Sequence, residues 1–551
     1  TIHEGDLYVC NRFSNTVSAI GLADFRVTGE IETAREPYSI AGSSSGLLVA
    51  NHLPAGAANT GYAAAVVSVI NPTPFSIESE IPLPSGSTVV KDICISADGK
   101  YAYVTHLVSR YMVPATQLDR GWMVTNAVTI IDVLNSSCLN TVLLDDVYRG
   151  AANPWGILCS SDGKYLVVSH SGTHEISIIE LDTLHHNLDM ISFGKPFSFS
   201  RNVEDVKHDL GFLSNCRSRV KLKGNGPRDL MKIGDRIYIT EYFSGTLGVV
   251  DLADPEKVES ISLAPMEEQT TCRKGEQYFH DASLCYQNWL SCSSCHPDGR
   301  NDAINWDLGN DGYGTLRQTK SLLLSHRTPP TTITGIRPDA TVSVMAGFKH
   351  IEYTEVGDQI IQAVDTFLLN MMPEMSPFLV NGKLSEKAES GLGVFRKAKC
   401  ISCHGGPAFT DKGLHLVGNG YSPDEKFDTP TLLETWRTGP YLHDGRAEDL
   451  KSMLVDHNRD DLHGETSNLT AKEVEDLVEY VLSISSMSPV IDNPVQDINK
   501  SRGFASDTIL LEGVFSDEDS DSLWFEVDVE HPGVVNATLA GSDLILQESG
   551  P

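Results

Sequence analysis

Two short stretches, "SCSSCHPDGR" at 291–300 and "KCISCHGG" at 399–406, repeat one spacing: Cys292, Cys295 and His296, then Cys400, Cys403 and His404. In each, two thiols stand three apart and a histidine follows the second directly. That pattern lets both sulfurs add to the vinyl groups of one haem while the adjacent imidazole turns beneath the ring to ligate iron. A zinc ribbon does not require histidine at that place, and a redox dithiol would follow a strand of a βαβ unit, which the neighbouring sequence lacks. Two covalently bound haem c groups are therefore expected. Each would be enclosed by a small helical domain, because haem supplies core that so short a segment lacks.

The chain has 551 residues, enough for roughly three or four domains. Its 40% hydrophobic and 21% charged residues are those of a soluble globular protein, and no apolar run is long enough to span a bilayer. A formal charge of −32 argues against nucleic acid as a partner and leaves room for a cationic protein. The sequence begins at Thr1 without a leader, as a mature exported chain would. Covalent haem attachment is extracytoplasmic, so a periplasmic or cell-surface location is expected. Of the eleven cysteines, seven remain after haem attachment, and Cys272 with Cys285 is the pair expected to form a disulfide.

Residues 1–265 repeat a grammar of Gly/Asp turn, β-branched strand, polar loop and alternating strand. "GDLYVCNRFSNTVSAIGL", "DGKYAYVTHL", "DGKYLVVSHSGTHEISIIEL" and "GDRIYITEYFSGTLGVVDL" are examples. Strand repeats of this length stack radially into propeller blades. The units resemble YVTN-type β-propeller repeats; five are clear, and residues 192–224 fit none, so five to seven blades are expected. From 266 the texture turns helical: "VGDQIIQAVDTFLLNMM" has apolar residues at helical spacing and "TAKEVEDLVEYVLSI" opens with a capping threonine. After Pro489 alternation returns. The expected organisation is a β-propeller at 1–265, a first haem domain at 266–385, a second at 386–488, and the start of a cadherin- or immunoglobulin-like β-sandwich, incomplete, at 489–551.

"KGEQYFHDASL" ahead of the first motif and "FDTPTLLETWRTGPYLHDGRAEDLKSML" after the second resemble the bacterial di-haem cytochrome c peroxidase superfamily, which includes the enzyme that matures methylamine dehydrogenase. The resemblance covers about 268–487. It implies that His296 is the proximal ligand of a peroxide-binding haem and His404 that of a six-coordinate electron-transfer haem. The distal ligand of the second would be His457, with Met453 nearby as the alternative. A glutamate between the motifs would move the peroxide proton, so Glu352 and Glu355 are the candidates, with His350 beside them as a ligand of a resting state. His443, Asp444, Gly445 and Arg446 match the superfamily's "HDG" signature. Arg446 could meet a haem propionate, although shaping the loop is the plainer role. The tryptophan that bridges the haems in that superfamily is missing from "GIRPDA"; Trp306 and Trp436 are substitutes by chemistry only. His326, His350, Met345 and Met371 could each reach the first haem. Calcium between the haem domains is implied without assignable ligands, and "SDEDSDS" at 516–522 is an independent calcium candidate.

Two functions follow as expectations. One is an exported di-haem peroxidase or peroxide-dependent oxidase, with electrons passing from the second haem to the first and hydrogen peroxide, an electron-donor protein or an oxidisable protein as partners. The other is an electron-transfer cytochrome without peroxidase activity. Ligation of the first haem separates them.

Overall fold

In the computed structural model, all residues are described except 112, 115–122, 264–267, 310–313, 487–489, 517–522, 524, 526, 528, 530–532 and 550–551. The chain divides into two compact units. One comprises Thr1–Met371, Leu416–Phe427 and Arg437–Leu462; the other comprises Met372–His415, Asp428–Trp436 and His463–Pro551.

The first unit begins with five four-stranded antiparallel sheets, at residues 2–32, 37–82, 87–143, 154–221 and 227–262, and in each the sequence neighbours pair. Tight turns with glycine at positive φ, such as Gly99 and Gly163, join the strands. Alternate residues of neighbouring sheets meet in apolar cores. Val17, Val49 and Ile70 lie between the first and second sheets, Val67, Val104 and Ile131 between the second and third. Tyr103, Val128 and Leu166 join the third and fourth, and Ile178, Val220 and Ile239 the fourth and fifth. These cores link the five sheets in a row; a core joining the fifth to the first is not among them.

Residues 192–224, which fit no repeat, do not form a further sheet. They are an insertion in the fourth sheet: helix α1 (Leu181–Ser192) leads through a 3-10 turn at Val203–His208 to the edge strand Arg217–Lys221. Leu184, Leu188 and Ile191 of α1 cover the core between the third and fourth sheets, and Phe212, Leu213 and Cys216 of the segment join it.

The first strand of four sheets is irregular at one repeated position. Tyr38, Lys91, Trp155 and Arg228 each lie where the register with the next strand shifts. A bulge takes a residue out of the ladder and re-aims its side chain.

The other helices are α2 (Thr271–His280), α3 (Cys292–Cys295), α4 (Ala340–His350), α5 (Asp358–Leu369), α6 (Glu386–Lys397), α7 (Leu450–Val455) and α8 (Ala471–Ser483). Side-chain caps start most of them: Thr270, Asp339, Ser385, Asp449 and Thr470 each accept from a backbone N–H of the first turn. The threonine cap of α8, expected from sequence, is completed by Glu473 reaching back.

In the first unit α2 crosses α5 at Gly275, where a Cβ would stand 1.9 Å from the Ala363 carbonyl oxygen. One turn on, Phe279 packs against Phe367 with centroids 5.3 Å apart. The second unit repeats the device: α6 meets α8 at Gly391, whose Cβ would come 2.0 Å from the Asp476 oxygen, and Phe395 packs on Tyr480 at 5.3 Å. Only glycine lets backbones approach so closely.

All eleven cysteines are unbridged. The Cys272–Cys285 disulfide is therefore not present: Cys285 is buried with Trp289, Leu290 and Ile304, while Cys272 lies on α2. Beyond Val490 the chain forms a three-stranded antiparallel sheet of Asp507–Leu510, Asp543–Glu548 and Val535–Ala540. The acidic run offered as a calcium candidate lies, at 517–522, outside the described residues.

Candidate haem sites

At the first motif, a one-turn helix capped by Ser291 holds Cys292 and Cys295, and a capping box between Ser291 and Ser294 fixes its start. His296 then turns away from the helix, and its Nδ1 lies 3.1 Å from the Arg300 carbonyl oxygen. An Nδ1–H donating there leaves Nε2 to face a metal, the usual arrangement of a ligating histidine. Burial pushes the His296 imidazole down to about 4, so at neutral pH it is in the uncharged form a metal requires.

Glu352 comes to this site from the turn after α4. It is 2% exposed, and the Cys292 thiol donates to its Oε1 over 3.3 Å. Its other oxygen, Oε2, is buried without a hydrogen-bond partner among the described residues. Burial is the main cause that raises this carboxyl to about 8. Asp302, also buried, accepts from the Trp306 indole at 2.9 Å and is raised by burial to about 7. Trp289, Leu290, Ile304 and Trp306 supply the apolar wall.

The remaining candidates around the first motif separate clearly. Glu355 is exposed, and so is His350 at the end of α4. Met345 is exposed, whereas Met371 is buried against the motif itself: a Cβ on Gly299 would come 2.2 Å from its methyl. His326 lies 3.2 Å from the Asp365 carboxylate.

At the second motif, Lys399 in the left-handed region introduces a 3-10 turn at Cys400–Ser402. His404 Nδ1 lies 3.2 Å from the Phe409 carbonyl oxygen, the counterpart of the His296 bond. Across from it stands His463, with ring centroids 6.2 Å apart and planes inclined by 31°. That distance matches two metal–nitrogen bonds of about 2 Å plus the half-widths of two imidazoles, so His404 and His463 are the residues that would hold an iron here. The loop carrying His463 is tied to the motif. The Glu465 amide donates to the Ala398 oxygen at 2.8 Å, and Gly464 approaches so near that a Cβ would stand 3.5 Å from Cys400 Sγ. Burial, with His404 as the neighbouring charge, lowers His463 to about 4.

Sequence reasoning named His457 for this place, whereas the histidine set beside His404 is His463. The half-buried His457 belongs to the other unit, where its carbonyl oxygen accepts from Asn419 at 2.8 Å. His463 lies six residues further along, in a loop without periodic pattern, and only its position ahead of the capped helix α8 could have pointed to it.

Arg446 is held by a bidentate pair with Asp444, Nε to Oδ1 at 2.8 Å and Nη2 to Oδ2 at 2.7 Å. His443 stacks on Phe427 at 4.7 Å, accepts from Arg317 at Nδ1 and donates from Nε2 to the Asn419 oxygen. These contacts make the His-Asp-Gly-Arg turn a structural knot. Cys403, Asp411 and His415 place three donor atoms within 4.8 Å of one another, but attachment of haem would consume the thiol.

The cytochrome c family matches residues 388–485. Over 292 residues the chain is 27% identical to hydrazine synthase subunit gamma of Kuenenia stuttgartiensis, a match covering 42% of this chain and 82% of that protein. It is 24% identical over 295 residues to methylamine utilization protein MauG of Methylophilus methylotrophus, covering 42% and 88%. To cytochrome c551 peroxidase of Nitrosomonas europaea it is 22% identical over 301 residues, covering 44% and 88%. These likenesses support a cytochrome c module of the di-haem peroxidase kind. With it comes covalently bound haem c, and the paired Nδ1 bonds, the orphaned Glu352 oxygen and the His404–His463 gap are what such a group would use. No helix among the described residues is long and apolar enough to cross a membrane.

Proposed function

We propose that the chain is an exported di-haem c-type oxidoreductase that reduces peroxide at the His296 site with electrons received at the His404 site. The observation that carries this reading is the inequality of the two sites. A buried carboxyl, Glu352, stands at the first, while a second imidazole, His463, faces the histidine of the second. Haem bound at both motifs supplies electron storage and the iron at which peroxide is cleaved.

The chain itself supplies a proton and an orientation. Burial keeps Glu352 in its acid form up to about pH 8, so it can give a proton to a departing hydroxide and recover one from water. Arg300 and Phe409, through their carbonyl oxygens, fix the tautomer and tilt of His296 and His404. In this reading His463, not His457, completes the second site. A cationic electron-donor protein suits the charge of −32, and the extracytoplasmic chemistry of haem attachment supports a periplasmic or surface location. The five sheets close, in the same reading, into a propeller over 1–265, followed by haem domains at 266–385 and 386–488 and a β-domain from 489.

Absorption and electron paramagnetic resonance spectra of the holoprotein test this, oxidised, half-reduced and after one equivalent of peroxide. A high-spin signal that peroxide consumes supports the peroxidase. Two low-spin signals indifferent to peroxide at every redox level would make the chain an electron carrier, with Met371 the first ligand to suspect.

A further inference from the structure

The bulged first strands of the sheets bring unusual chemistry together beside the first haem motif. Tyr38, Lys91, Trp155 and Arg228 alternate aromatic and cationic. The Lys91 Nζ lies 4.5 Å from the Tyr38 ring centroid and 4.2 Å from that of Trp155, and the Arg228 guanidinium lies 4.3 Å from Trp155 on from there and 3.5 Å from Tyr242. Arg12 extends the row, 5.0 Å from Tyr38. Into this row projects Asp298, two residues after His296, bound to Arg12 at 2.5 Å and to Arg437 at 3.2 Å. Arg12 also meets the buried Glu36 at 2.7 Å.

Between the row and the motif is a small open recess. Lys91, Trp155, Asn153 and His280 line it from one side, and Ser293 and Asp298 from the other. Lys91 is 5% exposed, and among the described residues its hydrogen-bond partner is the Tyr38 hydroxyl at 3.5 Å. No carboxylate among the described residues lies within ion-pair distance of it. Arg12, Arg437, Lys91 and Arg228 thus face Glu36 and Asp298, with Glu276 acting on Arg228, and the two histidines at hand, His52 and His280, are held uncharged by burial, which also lowers Lys91 to about 7. The surplus is positive where Lys91 keeps its proton, below about pH 7. A buried ammonium is costly unless paired, and cation–π contacts offset only part of the cost.

We propose that this recess is a binding site for a small oxyanion, an inorganic one or the carboxylate of a small organic acid, which the Lys91 ammonium receives against the Trp155 ring. The aromatic faces leave the ammonium's protons to the open side, where a ligand oxygen completes its hydrogen bonds. The site lies outside the peroxide chemistry and stands whether or not that reading holds. Its place beside Ser293 and Pro297 puts a ligand next to the haem-binding turn rather than at Glu352.

Calorimetric titration of the holoprotein at constant ionic strength, with inorganic phosphate in one arm and acetate in the other, tests the proposal while the Soret band is followed. We expect one saturable site per chain with an unchanged Soret band, weakened about ten-fold or more in K91Q and within about three-fold in K91R. The arm that binds identifies the source of the oxyanion. Absence of a saturable site in the wild type up to about 10 mM in both arms overturns the proposal. So does undiminished affinity in K91Q, or binding that moves the Soret band and so reports the iron. Should K91Q fail to fold, the thermal midpoint of the wild type decides: the binding anion raises it above a chloride control if the site exists and leaves it unchanged if not.

Discussion

His404 and His463 face one another across 6.2 Å, centroid to centroid, the span that a single iron with two axial imidazoles occupies. His463→Ala should therefore abolish the low-spin signal of one haem and raise its potential, whereas His457→Ala should leave both unchanged. Electron paramagnetic resonance of the two variants decides; loss of the signal in the His457 variant would restore the ligand expected from sequence.

In the proposed reaction Glu352 is the proton donor of the first site. Its acid form is the active one, so peroxide turnover should fall as pH rises through about 8. Glu352→Gln should lower turnover roughly 10²-fold, the lower end of what general acid–base catalysis contributes, and remove that limb. The same shift has a sign for stability. The folded carboxyl keeps its proton to about pH 8 and the unfolded one loses it near 4.5, so stability is greatest below 4.5 and declines between the two values. Denaturant titrations across this range should show the slope in the wild type and not in the glutamine variant.

The glycines at the two helix crossings have no room for a methyl. Gly391→Ala should cost about 3 kcal/mol, because the Asp476 oxygen stands 2.0 Å from the new atom and belongs to rigid backbone. Gly393, with open space around its Cβ, is the control, and Gly393→Ala should be neutral or slightly stabilising. Equal midpoints for the two variants in urea would contradict the crossing geometry.

Asp298 ties the first motif to the β-sheets. Asp298→Asn should destabilise by about 2 kcal/mol, less than a fully enclosed pair would, since its side chain keeps 35% exposure while that of Arg437 keeps 4%. Adding Arg12→Gln should cost less than the sum of the two single changes, which a double-mutant cycle measures.

Much of this was legible in the sequence, and the exceptions share a cause. Alternation and turns announced the sheets, and the Cys-x-x-Cys-His spacing announced both attachment sites. The duplication after each motif was not seen, although Arg327 and Arg437, Pro330 and Pro440, and the caps Asp339 and Asp449 recur in step. Their surroundings differ too much in composition, and the shared features are backbone ones: the bridges Thr331–Arg337 and Tyr441–Ala447 and the cap before each following helix. His463 and the Tyr38–Lys91–Trp155–Arg228 row escaped for a related reason. A loop histidine has no period, and bulge residues break the alternation by which strands are recognised.

The sewing of the first motif to the sheets also orders the protein's biosynthesis. Asn153 donates to Ser291 and accepts from Ser294, and Thr88 donates to the Asp302 oxygen, so the turn bearing Cys292 and Cys295 is closed in by strands that are made earlier. An assembly factor needs both sulfurs in reach. If haem is joined to this turn, as proposed, thioether formation would have to precede its docking, and a nascent chain whose N-terminal half folded too soon would bar its own cofactor.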